Sequence, residues 1–173
     1  MELSIENLAG EAQRRGLRIS DIVIELQAEE SGRGAGDIFS EMELKYRIMK
    51  EAVARGIESD TKSQTGLSGG DAHRLDKYIS SERGLGGTLT ARIVRNAIAV
   101  SEVNASMGKI VAAPTAGSCG IIPGLLSVLE EEIMPDPDRV VMALITAGGF
   151  GAVVAEKASV SGAEGGCQAE CGT

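Results

Sequence analysis

Residues 112–124, which read A-A-P-T-A-G-S-C-G-I-I-P-G, decide how the chain around them folds. Two apolar residues, Ile110 and Val111, lead into this stretch. Pro123 is expected to start a helix, because proline suits the first helical position. The backbone N–H groups at such a start point into the preceding loop and favour an anion such as a carboxylate. A loop of small residues that lets two helices pack closely is an equally good interpretation at this stage.

The composition predicts one domain with a core of small aliphatic side chains. Hydrophobic residues make up 43% of the 173 residues, aromatic residues only 2%, and tryptophan is absent. Such a core suits closely packed helices, and the 23 glycines then fall mainly into the connections between them. No alternation of apolar and polar residues is sustained along the sequence. We therefore predict an all-α fold of helices joined by glycine-rich loops.

The charge pattern excludes several classes of partner. The formal net charge is −8, and the sequence has neither a basic stripe nor an aromatic cluster, so nucleic acid is not an expected ligand. Gly, Pro or charged residues interrupt the longest apolar runs, and the amino terminus lacks a basic region followed by an apolar one. Three cysteines do not form the pattern of a secreted disulfide framework. We expect a cytoplasmic protein with no membrane span.

Capping residues and apolar spacing predict the order of the helices. In the first helix Ile5, Leu8 and Ala12 share the inner face. A short new helix is expected to start at Cys167. The other helices are predicted between Ser4 and Gly16, Ser20 and Ser31, Asp37 and Gly56, Asp71 and Ile79, Thr88 and Met107, Pro123 and Ile133, Asp138 and Ala147, and Gly148 and Val160.

Residues 57–71 follow neither a helical nor a strand period, and so long an irregular stretch is typical of a functional loop. The T-G-L-S-G-G sequence at 65–70 lacks the lysine and the spacing of a phosphate-binding P-loop. Its backbone amides and the Ser68 hydroxyl can still bind the carboxylate of an amino acid. An ordinary loop that leads to the next helix is the alternative. His73, the only histidine, has charged neighbours and is expected at the surface.

The cysteines are the candidate metal ligands. Cys167 follows two glycines at the expected helix start, where N–H groups favour the thiolate that ligates iron or attacks an electrophile. Cys171 lies four residues further on, and Cys119 lies among the small residues of 112–124. A metal usually takes three or four protein ligands, which nearby residues do not supply. A small buried cysteine without a chemical role is the competing interpretation.

Four motifs in order carry a resemblance to a known family. They are S-Q-T-G-L-S-G-G-D at 63–71, E-V-N-A-S-M-G at 102–108, A-P-T-A-G-S-C-G-I-I-P-G at 113–124 and S-G-A-E-G-G-C-Q-A-E at 161–170. In order and spacing they closely resemble the α chain of bacterial iron-sulfur-dependent L-serine dehydratase, from about residue 4 to the last residue. The catalytic part of that family is all-helical, in agreement with the fold predicted above.

The resemblance implies a 4Fe-4S enzyme that removes water from L-serine, without pyridoxal phosphate, to give pyruvate and ammonia. Three cysteines would hold the cluster, and its open iron would act as a Lewis acid on the serine hydroxyl while a base removes the Cα proton. The partners that it implies are L-serine and a serine dehydratase β chain or β domain. The activity would belong to amino-acid catabolism and gluconeogenesis.

Carried onto this sequence, the resemblance makes Cys167 the first cluster ligand. It names no catalytic base, and His73 matches no catalytic histidine of the family. Cys171 stands where related chains usually have an apolar residue, so we do not expect it to be a ligand. The substrate-contacting residues that the resemblance implies are Thr65, Gly66, Ser68, Gly69, Gly70, Asn104, Pro114, Thr115, Gly117 and Ser118.

The other two family ligands belong to a downstream segment that these residues do not include. We therefore expect residues 1–173 to be part of a larger helical catalytic domain, cut shortly after the first cluster ligand and inactive alone. If the missing segment packs on residues 140–155, an apolar patch is left exposed, and we expect self-association, for example as a homodimer. Two other functions stay open: a cysteine desulfidase-like lyase that releases sulfide, and a non-catalytic helical domain that binds a small acid or a partner subunit.

Overall fold

This computed structural model describes residues 2–58, 60, 62–81, 87–133 and 136–173. The regular structure of these residues is helical. No strand occurs within those residues, and the all-α prediction is confirmed. The helices in chain order are α1 (Ile5–Arg15), α2 (Ile19–Ser31), α3 (Ala35–Glu58), α4 (Asp71–Ser80), α5 (Thr88–Ala105), α6 (Ile121–Glu132), α7 (Pro137–Lys157), α8 (Gly162–Gly165) and α9 (Cys167–Cys171).

The ends of the first six helices lie within two residues of the predicted positions. At the start of α1 the Ser4 hydroxyl accepts a hydrogen bond from the backbone N–H of Asn7 at 3.1 Å, and Gly16 ends the helix with a φ of 65°. α6 begins at Ile121, so Pro123 occupies its third position rather than its first. Proline is tolerated there, because none of the first four N–H groups of a helix has an intrahelical partner.

α7 is one continuous helix where the sequence predicts two. The predicted break falls between residues 147 and 148, yet Gly148 and Gly149 lie inside the helix. A Cβ on Gly149 would collide with the Val23 side chain of α2. The close approach of these two helices therefore requires a glycine within α7, and the sequence argument treats that glycine wrongly as a helix end.

α7 is also long and apolar enough, by length and composition, to cross a membrane. The sequence argument misses this property, because it counts the glycines as interruptions of the apolar run. Buried helices of soluble proteins have the same composition. Val140, Val141 and Ile145 are at most 2% exposed, so the apolar face of α7 packs inside this protein.

Among the described residues the core consists of three clusters, built mainly of aliphatic side chains as the composition predicts. Leu8 and Ala12 of α1 belong to the cluster with α2 and α7, whereas Ile5, predicted on the same face, is 47% exposed. Ala52 and Val53 of α3 meet α5 in a second cluster. The largest cluster joins α2, α3, α6 and α7 through Ile24, Ile38, Tyr46, Met49, Leu126, Val140, Val141, Met142, Leu144 and Ile145.

α5 is held between α3 and α6 by glycines that let the backbones approach. A Cβ on Gly56 of α3 would lie 2.7 Å from Ala99 Cα, and a Cβ on Gly124 of α6 would lie 2.9 Å from Ala97 N. Such distances are too short for any larger residue without movement of the helices. These contacts bring the connection between α5 and α6 close to the surface of α5.

Candidate functional site

The central loop, residues 112–120, is held in shape by its own polar groups and by α5. The Ser118 hydroxyl donates to the Ala113 carbonyl at 2.9 Å, and Ser118 is only 2% exposed. From α5, the side-chain amide of Asn104 donates to the Ala116 carbonyl at 3.0 Å. Asn104 therefore supports this loop from the neighbouring helix.

Glu170 of α9 reaches the same loop and supplies an anion to it. The Thr115 hydroxyl donates to Glu170 Oε2, and the backbone N–H of Gly117 donates to Thr115 Oγ1 at 3.2 Å. The Glu170 carboxylate also lies against Gly117 and Gly162, where added Cβ atoms would collide with it. The sequence predicts a carboxylate at this loop, and the structure places one of the protein's own carboxylates there.

The loop at 65–70 is anchored by a second carboxylate. Glu102 of α5 accepts hydrogen bonds from the backbone N–H groups of Asp71 at 2.6 Å and Ala72 at 3.4 Å, and so caps α4 from a neighbouring helix. Glu102 is only 9% exposed. Because its charge is bonded to a helix start, its burial costs less than that of an unpaired carboxylate. This contact fixes the end of the loop against α5.

A cleft of about 520 Å³ opens between these two loops and α5. Ser68 lines it from the loop at 65–70, Gly117 and Ser118 from the central loop, Glu102 from α5 and Cys171 from α9. Its volume lies in the range of small-molecule sites. Motifs that are far apart in the sequence therefore border one site.

Three of the predicted substrate-contacting residues, Ser68, Gly117 and Ser118, line the cleft. In the loop at 65–70, Thr65 and Gly66 are exposed and Gly69 and Gly70 are buried. Pro114 and Thr115 lie in the central loop, which Asn104 supports through its hydrogen bond.

Sequence reasoning missed two residues that shape the site, Glu102 and Glu170. A signal for Glu102 was present: it lies three residues after Ala99 and directly before Val103, so helical spacing places it among buried neighbours. A charged residue at a buried helical position needs a partner, which points to a cap or a site.

The cysteines differ in their surroundings. Cys119 is 1% exposed, and burial raises the pKa of its thiol, which matches the interpretation of a small core residue. Cys167 and Cys171 are exposed, with their Sγ atoms 3.4 Å apart. The hydrogen bond to Cys167, together with partial desolvation, raises the pKa of the Cys171 thiol. His73 is half-buried and donates from Nδ1 to the Ile57 carbonyl at 3.0 Å.

The described residues do not form a complete metal centre. Among them, no group of three or more His, Cys, Asp or Glu side chains is arranged to hold a metal ion. Cys167 and Cys171 are two soft donors, fewer than the three cysteines that the resemblance implies for the cluster. The donors present thus fit one side of a cluster site and not the whole of it.

The helical fold thus places two glycine-containing loops and an exposed, cysteine-bearing helix around one cleft. A family model described as "Serine dehydratase alpha chain" matches residues 14–173. The chain belongs to this family.

Individual relatives agree with the family match. The chain is 44% identical over 170 residues to "Probable L-serine dehydratase, alpha chain" of Bacillus subtilis, covering 98% of this chain and 56% of the relative. It is 36% identical over 159 residues to "L-serine dehydratase, alpha chain" of Peptoniphilus asaccharolyticus, covering 92% and 54%. With "L-serine dehydratase" of Streptomyces coelicolor it shares 35% identity over 164 residues, covering 94% and 36%.

The chain therefore spans about half the length of the curated α chains that it matches. No solved structure gives a significant match to it.

Proposed function

We propose that this chain forms part of the catalytic domain of a cytoplasmic L-serine ammonia-lyase, which eliminates water from L-serine and yields pyruvate and ammonia. Membership of the serine dehydratase α-chain family supports the reaction and implies a β chain or β domain as partner. The observation that carries the proposal is the convergence of Ser68, Glu102 and Gly117, from three of the family motifs, on one cleft.

The charges around the cleft favour the ammonium group of an amino acid, although Asp71 is also paired with Arg74. Asp71 and Glu102 border it, and none of its described lining residues is basic. The ammonium group of L-serine is attracted to these carboxylates, although Glu102 already accepts two backbone N–H groups. The Ser68 hydroxyl is a hydrogen-bond donor for the polar groups at the other end of the substrate. Ser68 and Asp71 would in this way orient the amino acid in the cleft.

An iron-sulfur cofactor is consistent with family membership, and we propose exposed Cys167 as one of its ligands. Since the described residues offer at most two neighbouring thiols, the remaining ligands would come from residues outside these 173. Glu170 lies three residues after Cys167 and is bonded to Thr115, so it would fix this ligand relative to the central loop.

The test is a kinetic comparison of Ser68→Ala and Ser80→Ala, each in an α chain of full family length with its β partner under anaerobic conditions. Ser80 lies on α4 outside the cleft, and its hydroxyl bonds only within its own helix. We expect Ser68→Ala to raise the KM for L-serine by about 5- to 10-fold, as the loss of one hydrogen bond of about 1 kcal/mol implies. Ser80→Ala should leave KM unchanged.

The same assay measures pyruvate from L-serine and sulfide from L-cysteine. Pyruvate as the preferred product supports the proposal. Sulfide as the preferred product would assign the chain to a cysteine desulfidase-like lyase, and release of neither would favour a non-catalytic binding domain. An unchanged KM in Ser68→Ala would move the substrate away from this cleft.

A further inference from the structure

Two exposed thiols lie in contact on α9, beside the cleft. Cys167 begins this five-residue helix and Cys171 ends it, with their Sγ atoms 3.4 Å apart. Cys171 also lines the cleft, so the pair is accessible from the same solvent-filled space as the candidate site.

A covalent link between the sulfurs needs a local adjustment of the backbone at this pair. Residues four apart in an α-helix have Cα atoms about 6 Å apart, within the range of about 4.4 to 6.8 Å that disulfides span, but their Cβ atoms are about 5 to 6 Å apart, more than the usual separation of about 3.5 to 4.5 Å. The sulfurs are 3.4 Å apart and need to approach to about 2 Å. Cys171 is the last residue of α9, before Gly172, so the required adjustment falls at a helix end rather than within a packed helix.

We propose that Cys167 and Cys171 form a reversible intramolecular disulfide when a hydroperoxide oxidises the protein. The sulfur of one cysteine attacks the peroxide, the O–O bond breaks, and a sulfenic acid and water form. The sulfur of the second cysteine then attacks the sulfenic sulfur and displaces its oxygen as a second water. Two thiols lose two electrons and two protons in total, and hydrogen peroxide is reduced to two waters.

The third cysteine does not compete for this bond. Cys119 is 1% exposed within the cluster of α3 and α5, where neither peroxide nor a second thiol reaches it. Exposed disulfides belong to the labile type that cellular thiols reduce, so the bond is expected to be reversible.

Formation of the disulfide between Cys167 and Cys171 has two consequences at the cleft. The link occupies both sulfurs and draws Cys171, a lining residue, toward the start of α9. Where the proposed function holds, it also withdraws Cys167 from cluster binding, so oxidation would switch the site off until the bond is reduced. The bond itself requires neither cluster nor substrate.

The experiment treats the reduced 173-residue chain with one equivalent of hydrogen peroxide, blocks free thiols by alkylation and maps tryptic peptides by mass spectrometry. Trypsin cleaves after Lys157, and the final peptide, 158–173, contains Cys167 and Cys171 without Cys119. After oxidation we expect this peptide to carry no alkyl group and to have lost the mass of two hydrogens. The number of free thiols in the denatured chain should fall from three to one. Dithiothreitol should restore all three.

Three variants separate the outcomes. Cys167→Ser and Cys171→Ser should each abolish the internal link, whereas Cys119→Ser should retain it. The disulfide should form about tenfold faster in the folded chain than in the chain unfolded by urea, because α9 holds the two sulfurs close together. Sulfinic acid or only intermolecular dimers in place of the link would overturn the proposal, as would equal rates in both conditions. Because no cluster or β chain is present, such a failure leaves the proposed lyase function intact.

Discussion

Single carboxylates control the geometry of both loops at the cleft. Glu102 holds the start of α4, and Glu170 holds the central loop through Thr115. Each carboxylate occupies a place where backbone amides or hydroxyls favour an anion. The chain therefore uses anion-binding elements to join its own segments, and these contacts leave the cleft between the loops open.

Removal of the Thr115 hydroxyl tests the link between α9 and the central loop. Thr115→Val keeps the shape of the side chain but leaves the Glu170 carboxylate without this donor. A hydrogen bond to a charged group contributes about 1.5 to 3 kcal/mol, so we expect amide hydrogen exchange in α9 to become at least about tenfold faster. NMR or mass spectrometry measures this rate.

Thr146→Val is the matched control, because the Thr146 hydroxyl donates only to the Met142 carbonyl within α7, at 3.1 Å. It should leave exchange in α9 unchanged. Equal rates in both variants would show that Glu170 does not hold this segment.

A buried tyrosine gives a pH-dependent test. Tyr46 is 3% exposed, and its hydroxyl donates to Glu130 Oε2 at 2.9 Å. Burial, and next the Glu130 carboxylate, raise the pKa of Tyr46 well above its usual value of 10.0. Tyr46→Phe should lower the free energy of unfolding by about 1 to 3 kcal/mol near neutral pH, because Glu130 loses a donor.

The sign of the pH effect follows from the raised pKa. Above pH 10 the unfolded chain releases the Tyr46 proton while the folded chain retains it, so the wild type has a loss of stability with rising pH that Tyr46→Phe, lacking this group, does not share. The difference between the two proteins should therefore shrink between about pH 8 and about pH 11, measured by urea unfolding. A difference that stays constant would contradict the assigned hydrogen bond.

At this scale the sequence located the loops that border the cleft. Ser68 was predicted because its loop follows no helical period, whereas Gly117 and Ser118 were predicted from the family resemblance, and all three line the cleft. Glu102 and Glu170 were missed because a glutamate on a helix ordinarily faces water, and only the neighbouring segment gives each its partner. The 3.4 Å contact between Cys167 and Cys171 required the helix of α9 to be in place.

At the scale of elements, glycines at helix contacts have a different role from glycines on open surfaces. Gly56 of α3 faces the backbone of Ala99, whereas Gly151 of α7 has nothing within 4 Å of the position its Cβ would take. Both lie inside helices. Helix propensity favours alanine at both positions, so any destabilisation at Gly56 must come from packing.

We therefore expect opposite effects from two alanine substitutions. Gly56→Ala should lower the free energy of unfolding by about 1 to 3 kcal/mol, since α3 and α5 must separate to admit the methyl group. Gly151→Ala should raise it by about 0.5 to 1 kcal/mol. Urea unfolding checks both, and a loss of similar size in both variants would contradict the packing of α3 on α5.

The same distinction explains which helices were predictable. Caps such as Ser4 and Gly16 act within a few residues, so the sequence alone locates the ends of α1. The continuity of α7 depends on the contact between Gly149 and Val23, which are far apart in the chain. A local pattern cannot distinguish a glycine that ends a helix from one that admits a neighbouring helix.

For the whole molecule, the fold changes one expectation from the sequence. The prediction that residues 140–155 expose an apolar patch is wrong for their large side chains, because Val140, Val141, Leu144, Ile145 and Val153 are buried against other helices. The exposed residues of that stretch are small, namely Gly148, Ala152 and Ala155. Other helices thus cover the large apolar side chains of this stretch, which removes the reason given for self-association through it.

Cluster assembly separates this chain from a longer member of the family. No group of three metal-binding side chains occurs among the described residues, so anaerobic reconstitution of the 173-residue chain with iron and sulfide should give no stable cluster absorbance and no pyruvate. An α chain with the further length of the relatives, mixed with its β partner, should give both. A stable cluster in the short chain would instead require Cys119 or Cys171 as a ligand. Reconstitution of the Cys119→Ser and Cys171→Ser variants would then identify which of these cysteines is the additional ligand. The assignment of Cys167 as the single ligand in this chain would be wrong.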